Sequence, residues 1–189
     1  MISLNMIQVN YSRMRKVIVL IICALMAACQ TSQPLKQVVR VPLDFSQYQL
    51  AFNKDNSDGQ GSLRLYVPRG QTLDNWQQMI SVQSLVGFNR SLSLTMHKLQ
   101  ETVYDECGAS NVKWEVLQQT NQSILFEKTI RQCPKQPDQY EMTRLIAGIK
   151  DLHLVSYSSK TLRQSKQNRI KWARTLNSAF VEVVNAKGN

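Results

Sequence analysis

VKWEVLQQTNQSILFEKTIRQCPKQPDQYEMTRLIAGIKDLHLVSY, residues 112–157, is the stretch whose reading decides the fold. Val112, Trp114 and Val116 alternate with polar residues, as do Ile124, Phe126 and Ile130, which is the two-residue period of a strand with one face buried. Gln119-Thr120-Asn121 separates the two runs tightly enough to make them an antiparallel pair. Tyr140–Ile149 and Leu152–Tyr157 form a second pair joined across Gly148–Asp151. A Pro-rich loop, Cys133-Pro134-Lys135-Gln136-Pro137, lies between the pairs.

Working outward, Ser91–Cys107 reads as a helix. Leu92, Met96, Leu99 and Val103 fall on one stripe and Gly108 stops it. Upstream, Tyr48, Leu50 and Phe52 alternate within Ser46–Phe52, and Leu63, Leu65 and Val67 alternate within Ser62–Val67. The turn cluster Asn53–Gly61 makes these a hairpin. Thr72–Phe88 reads as a turn followed by a strand with Ile80 and Val82 inward. Downstream, Ser165–Ala186 reads as a second helix on the spacing of Ile170, Ala173, Leu176, Phe180 and Val183, ending at Gly188. The expected class is α+β: a mainly antiparallel sheet of about six strands with two helices packed on it. This element order across Ser46–Val184 is similar to PsbP/Mog1-type domains, with an NTF2-like curved sheet as the alternative.

The front of the chain carries a different signal. Arg15 and Lys16 precede an unbroken apolar run, Val17–Ala28, and Ala27-Ala28 leads into Cys29. A spanning helix needs about 20 apolar residues, so this shorter run has the length of an export signal's core. Leu25-Met26-Ala27-Ala28-Cys29 resembles the lipobox of bacterial lipoproteins, departing at Met26, where that family usually has Leu. The resemblance implies that the Cys29 thiol receives diacylglycerol, that cleavage removes residues 1–28, and that the new amine is acylated. Gln30 in place of Asp implies the outer membrane by the same family's sorting rule. Each buried methylene adds about 0.8 kcal/mol, so several acyl chains hold firmly where one does not. Cys23 lies in the apolar run and leaves with it. Met1–Arg13 is either a long n-region or lies ahead of a true start at Met14.

The expected organisation is therefore a signal over 1–28, a lipidated tether over 29–45, and one periplasmic domain over 46–186. The tether's second half, Val38–Phe45, is placed to pair with the domain edge, although Pro42 disfavours a central strand. Three of the 23 basic residues and no acidic ones precede Cys29, leaving 20 basic against 13 acidic residues and a mature charge of +7. That balance suits anionic headgroups, peptidoglycan carboxylates or an acidic protein partner; nucleic acid is not expected for an exported chain. In an oxidising compartment the two cysteines beyond Cys29, Cys107 and Cys133, are expected to form one disulfide.

No nucleophile elbow, P-loop, dinucleotide fingerprint or zinc-protease motif appears, so no catalytic, cofactor or metal residues are assigned. His97 sits on the polar side of the first helix and His153 in a strand, with nothing at ligand spacing to join them. Core packing is expected for Trp76, Trp114 and Trp172, with the Trp172 ring partly exposed beside its helix's stripe. The basic series Lys160, Arg163, Lys166, Arg169, Lys171 and Arg174 is the sharpest surface feature. Within it, Lys166, Arg169, Lys171 and Arg174 are the candidate contact surface, against the more ordinary reading of a solvated helix face that keeps the domain soluble. The expectation is a non-enzymatic outer-membrane lipoprotein acting as a binding or structural module. Its character is similar to the accessory lipoproteins of Dot/Icm type IVB secretion machines. A carrier for a lipid or other apolar ligand needs an apolar cavity between sheet and helix. A hydrolase needs His97 or His153 joined to a nucleophile in a polar pocket.

Overall fold

A computed structural model describes residues 35–55, 61–87 and 91–185. The expected signal, the lipidation site Cys29, the first part of the tether and most of the hairpin turn after Asp55 lie outside the described residues. Lys36–Val184 forms one compact unit.

Among the described residues nine strands and two α-helices follow in chain order: β1 (Leu35–Arg40), β2 (Tyr48–Asp55), β3 (Gly61–Pro68), β4 (Gln78–Leu85), α1 (Leu92–Cys107), β5 (Val112–Gln119), β6 (Ser123–Ile130), β7 (Gln139–Ala147), β8 (Leu152–Ser159), α2 (Lys166–Asn177) and β9 (Phe180–Asn185). Seven strands make one sheet in the order β2-β3-β4-β8-β7-β6-β5, and β1 pairs with β9 in a separate two-stranded sheet. Every pairing in the large sheet is antiparallel. The α+β reading holds, with one more strand in the main sheet than expected and two further strands beside it.

Alternation along β6 and β7 explains the layering. Ile124, Phe126 and Leu145 pack with Leu92, Met96 and Leu99 of α1. Leu125, Met142 and Ile146, of opposite parity, pack with Trp172 and Leu176 of α2. Successive strand residues point to opposite faces, so α1 and α2 cover opposite sides of the sheet. The middle strands β6, β7 and β8 are consequently buried on both faces. The period-2 reading of Ile124 and Phe126 thus found one buried face of β6 and missed the other, on which Leu125 sits.

Local chemistry sets the helix ends. The Ser91 hydroxyl accepts from Leu94 N (3.2 Å) at the start of α1. Gly108, at φ +81°, ends it in a backbone region that suits residues without a Cβ. At the start of α2 the Ser165 hydroxyl accepts from Asn168 N (3.2 Å). No helix among the described residues is long and apolar enough to cross a membrane.

The C-terminal segment corrects the sequence reading. The helix stops at Asn177, and Phe180–Asn185 is a strand rather than two further turns. Val181, Val183 and Val184 are β-branched and favour the pleated conformation, while Phe180 and Val183 matched helical spacing by coincidence. The face α2 buries is Trp172, Ala173 and Leu176, with Ile170 41% exposed. Within the stretch read as a tether, Leu35–Arg40 is a strand whose Val39 lies in the core on the α2 side.

Candidate functional site

The basic series separates once α2 is in place. Arg169 lies three and seven residues before Trp172 and Leu176, on the buried face. Its guanidinium makes a fork to Glu127 on β6, with Nη2 to Oε1 at 2.6 Å and Nε to Oε2 at 3.0 Å. The Tyr140 hydroxyl of β7 donates to the same Oε2 at 2.7 Å. Arg163, Lys166, Lys171 and Arg174 are exposed, Lys171 resting over the Trp172 ring. Lys160 places its ammonium 5.0 Å from the Trp76 ring centre. Of the four-residue contact surface, Lys166, Lys171 and Arg174 stand on the outer side of α2, and Arg169, half-exposed, is turned toward Glu127.

The Tyr140–Glu127–Arg169 cluster was not legible in the sequence. Glu127 is 9% exposed in the apolar run of β6, and an acid there calls for a partner. Burial, then the hydrogen bond to Glu127, pushes the Tyr140 hydroxyl far above its ordinary range. The hydrogen bond to Glu127 holds the Arg169 guanidinium above its ordinary value. A small polar pocket of about 140 Å³ opens beside the cluster, with Lys113, Glu115 and Gln164 on its walls. Chemically the cluster is a clamp that fixes α2 to β6 and β7.

The two histidines are not brought together. His97 is exposed on α1 with Glu101 one turn on, 3.2 Å away. His153 of β8 is fully buried (0% exposed), its Nδ1 2.9 Å from the Ser84 hydroxyl across the β4–β8 pairing. Burial holds the imidazole below its ordinary value, with the Asp151 charge opposing. Among the described residues Nε2 has no hydrogen-bond partner, so the dyad has no acid to orient the ring. A serine–histidine–acid relay needs such a group on the second ring nitrogen. No group of three or more His, Cys, Asp or Glu among the described residues is placed to hold a metal ion.

A second site lies at the other end of α2. Arg144 of β7 sends Nη1 to three carbonyl oxygens, Leu176 (2.9 Å), Asn177 (2.7 Å) and Ala179 (2.8 Å). Cations belong at this end of a helix, where unpaired carbonyls accumulate. Nη2 reaches the Ser123 hydroxyl only at 3.3 Å, and buried Nε has no partner. Burial pulls this guanidinium below its ordinary value. Arg144 lines a groove of about 510 Å³ between the β5–β6 turn and the start of β9.

Beneath α2 the space between helix and sheet is packed with side chains. Trp172 (2% exposed) stacks on Tyr157 with ring centres 3.9 Å apart, and Met142, Val155 and Leu176 close around them. The Trp172 ring is thus inside the core rather than partly exposed. Trp114 stacks on Phe126 at 4.4 Å and Trp76 is buried. Cys107, at the end of α1, is joined to Cys133 in the loop before β7.

No family model matches the chain, and no curated protein matches it either. Among solved structures it is similar to the Saccharomyces cerevisiae Ran-binding protein Mog1p, at 15% identity over 76% of this chain and 85% of that one, with a TM-score of 0.36. It is also similar to PsbP (CyanoP) from Synechocystis sp. PCC 6803, at 9% identity over 75% of this chain and 96% of that one, with a TM-score of 0.41. The α+β class itself rests on the strand order and on the two helices, one on each face of the sheet.

Proposed function

We propose that this chain is a lipid-anchored, non-enzymatic binding or structural module of a bacterial outer membrane. The carrying observation is the order Arg15-Lys16, Val17–Ala28, Cys29: a positive start, a short apolar run, and a cysteine directly after small residues. The Cys107–Cys133 bond supports the same reading, because disulfides persist in oxidising compartments. So does the packed interior beneath α2, which leaves surfaces rather than a chamber for recognition. Lys166, Lys171 and Arg174 suit anionic headgroups or an acidic partner, and the finer role is an accessory component of an envelope-spanning secretion machine.

The test is metabolic labelling with palmitate, followed by copurification from gently solubilised outer membrane. Label is expected on the wild-type chain and not on Cys29→Ser, which should also stay unprocessed. A Cys29→Ser chain processed and placed like the wild type overturns the anchor.

A further inference from the structure

Four exposed apolar side chains, Val86, Leu94, Ile149 and Phe180, stand at one end of the main sheet. Ile149, 77% exposed, tips the β7–β8 turn. Val86 follows Leu85, which pairs with Leu152 beside that turn, and Gly87 N donates to the Asp151 carboxylate at 3.3 Å. Phe180 opens β9 next to Ala147, the last residue of β7. Leu94 lies in the first turn of α1, where the Ser93 hydroxyl accepts from the Gln119 amide at the end of β5 (3.0 Å). Single exposed apolar residues are ordinary, but several at one end of a fold mark a contact surface.

The chain also enters the domain at this end. Gln37 of β1 accepts from Ile149 N at 3.0 Å, and Gly148 leaves room for it, since a Cβ there would collide with the Gln37 side-chain oxygen. From Gln37 the chain runs away from the turn, and Phe45 meets Tyr66 toward the far end of β3 with ring centres 4.9 Å apart. Gln37 lies eight positions after Cys29, a reach of at most about 28 Å. A compact unit the size of Lys36–Val184 is roughly 40 Å across. With its far end against a membrane, the domain would hold Gln37 beyond that reach. Lys36, next to Gln37, and Lys150, next to Ile149, are exposed, whereas Asp151 is engaged by Gly87 N and Asp55 lies 3.7 Å from Arg64.

We propose that this end of the domain is a second membrane contact, in which Ile149 and Phe180 enter the surface of the phospholipid leaflet that holds the acylated Cys29. Lys36 and Lys150 lie among the lipid phosphates. A few apolar side chains adhere weakly by themselves, but the anchor makes their contact intramolecular and so raises its effective concentration. The proposal rests on the reading of Cys29 as lipidated and adds an orientation to it. The β3–β4 turn and the loop holding Cys133, at the opposite end of the strands, then face away from the membrane.

Full chains carrying Ile149→Trp, Phe180→Trp or Leu73→Trp are expressed, purified in mild detergent and placed in vesicles of phosphatidylethanolamine and phosphatidylglycerol. Each is measured with and without acyl-brominated phosphatidylcholine, and the emission of the native tryptophans, read from wild type, is subtracted. Leu73 is exposed in the β3–β4 turn at the far end and serves as the control. Bromine on the acyl chains should remove most of the added emission at positions 149 and 180 and leave that at 73 unchanged, with melting temperatures equal to wild type. Quenching that is absent at 149 or 180, or equal at 73, overturns the proposal. So does an indole at 149 shielded from aqueous iodide yet insensitive to bromine, because a second copy or a partner protein then covers this end. Palmitate labelling scores the anchor separately. Label without quenching removes the second contact and leaves the anchor; quenching without label removes the anchor and leaves the contact.

Discussion

Glu127 and His153 show how much one buried polar side chain commits the chain around it. Glu127 accepts from Tyr140 and from both edge nitrogens of Arg169, so its replacement strands two partners at once. Glu127→Gln should lower unfolding free energy by about 1–3 kcal/mol, read from urea titration, because Arg169 is exposed enough to regain water. His153 has the opposite problem, since its interior site disfavours the charged form. Its folded value is lowered, so the unfolded chain binds the extra proton first, near its ordinary value of about 6.5. Stability contributed by the neutral ring is therefore full above that pH and declines as pH falls below it. Urea midpoints at pH 7.5 and pH 5 should differ more for wild type than for His153→Gln; equal differences would show that His153 does not set this dependence. Neither role was visible in the sequence, where His153 read as a strand residue between two leucines.

Elements were legible wherever one face alone is buried. The α1 stripe of Leu92, Met96, Leu99 and Val103 is the stripe that packs, and its caps are the Ser and Gly that flank it. α2 misled because Phe180 and Val183 continued its spacing into a segment whose β-branched residues make a strand. Once the helix ends at Asn177, its core face shifts to Trp172 and Leu176, and the Trp172 ring becomes central. Trp172→Ala should destabilise by about 3–5 kcal/mol, measured by thermal or urea unfolding, because the space left against Tyr157 cannot collapse fully. The Cys107–Cys133 bond ties the end of α1 to the loop before β7 across 26 residues of sequence. Cys133→Ser should cost about 3–4 kcal/mol on the chain-entropy account, and reductant should lower the wild-type melting temperature by a matching amount.

For the whole molecule, the question is how much of α2's outer charge takes part in recognition. Lys166, Lys171 and Arg174 remain outward after Arg169 is taken by Glu127. A Lys166/Lys171/Arg174→Gln variant should lose binding to vesicles containing anionic phospholipid, most clearly at low salt, where surface charges act furthest. Binding equal to wild type in vesicle sedimentation would assign this charge to solubility alone. The sequence by itself determined the α+β class, the sheet's core strands, the two cysteines available to bond each other and the expectation of a lipid at Cys29. These are local: they follow from periodicity, turn chemistry and the spacing of a few residue types. Only the tertiary structure decided that the helices cover opposite faces, that Arg169 leaves the basic series for Glu127, and that Arg144 stands at the mouth of a groove. Each depends on which strands become neighbours, and pairings between residues tens of positions apart leave no period in the chain.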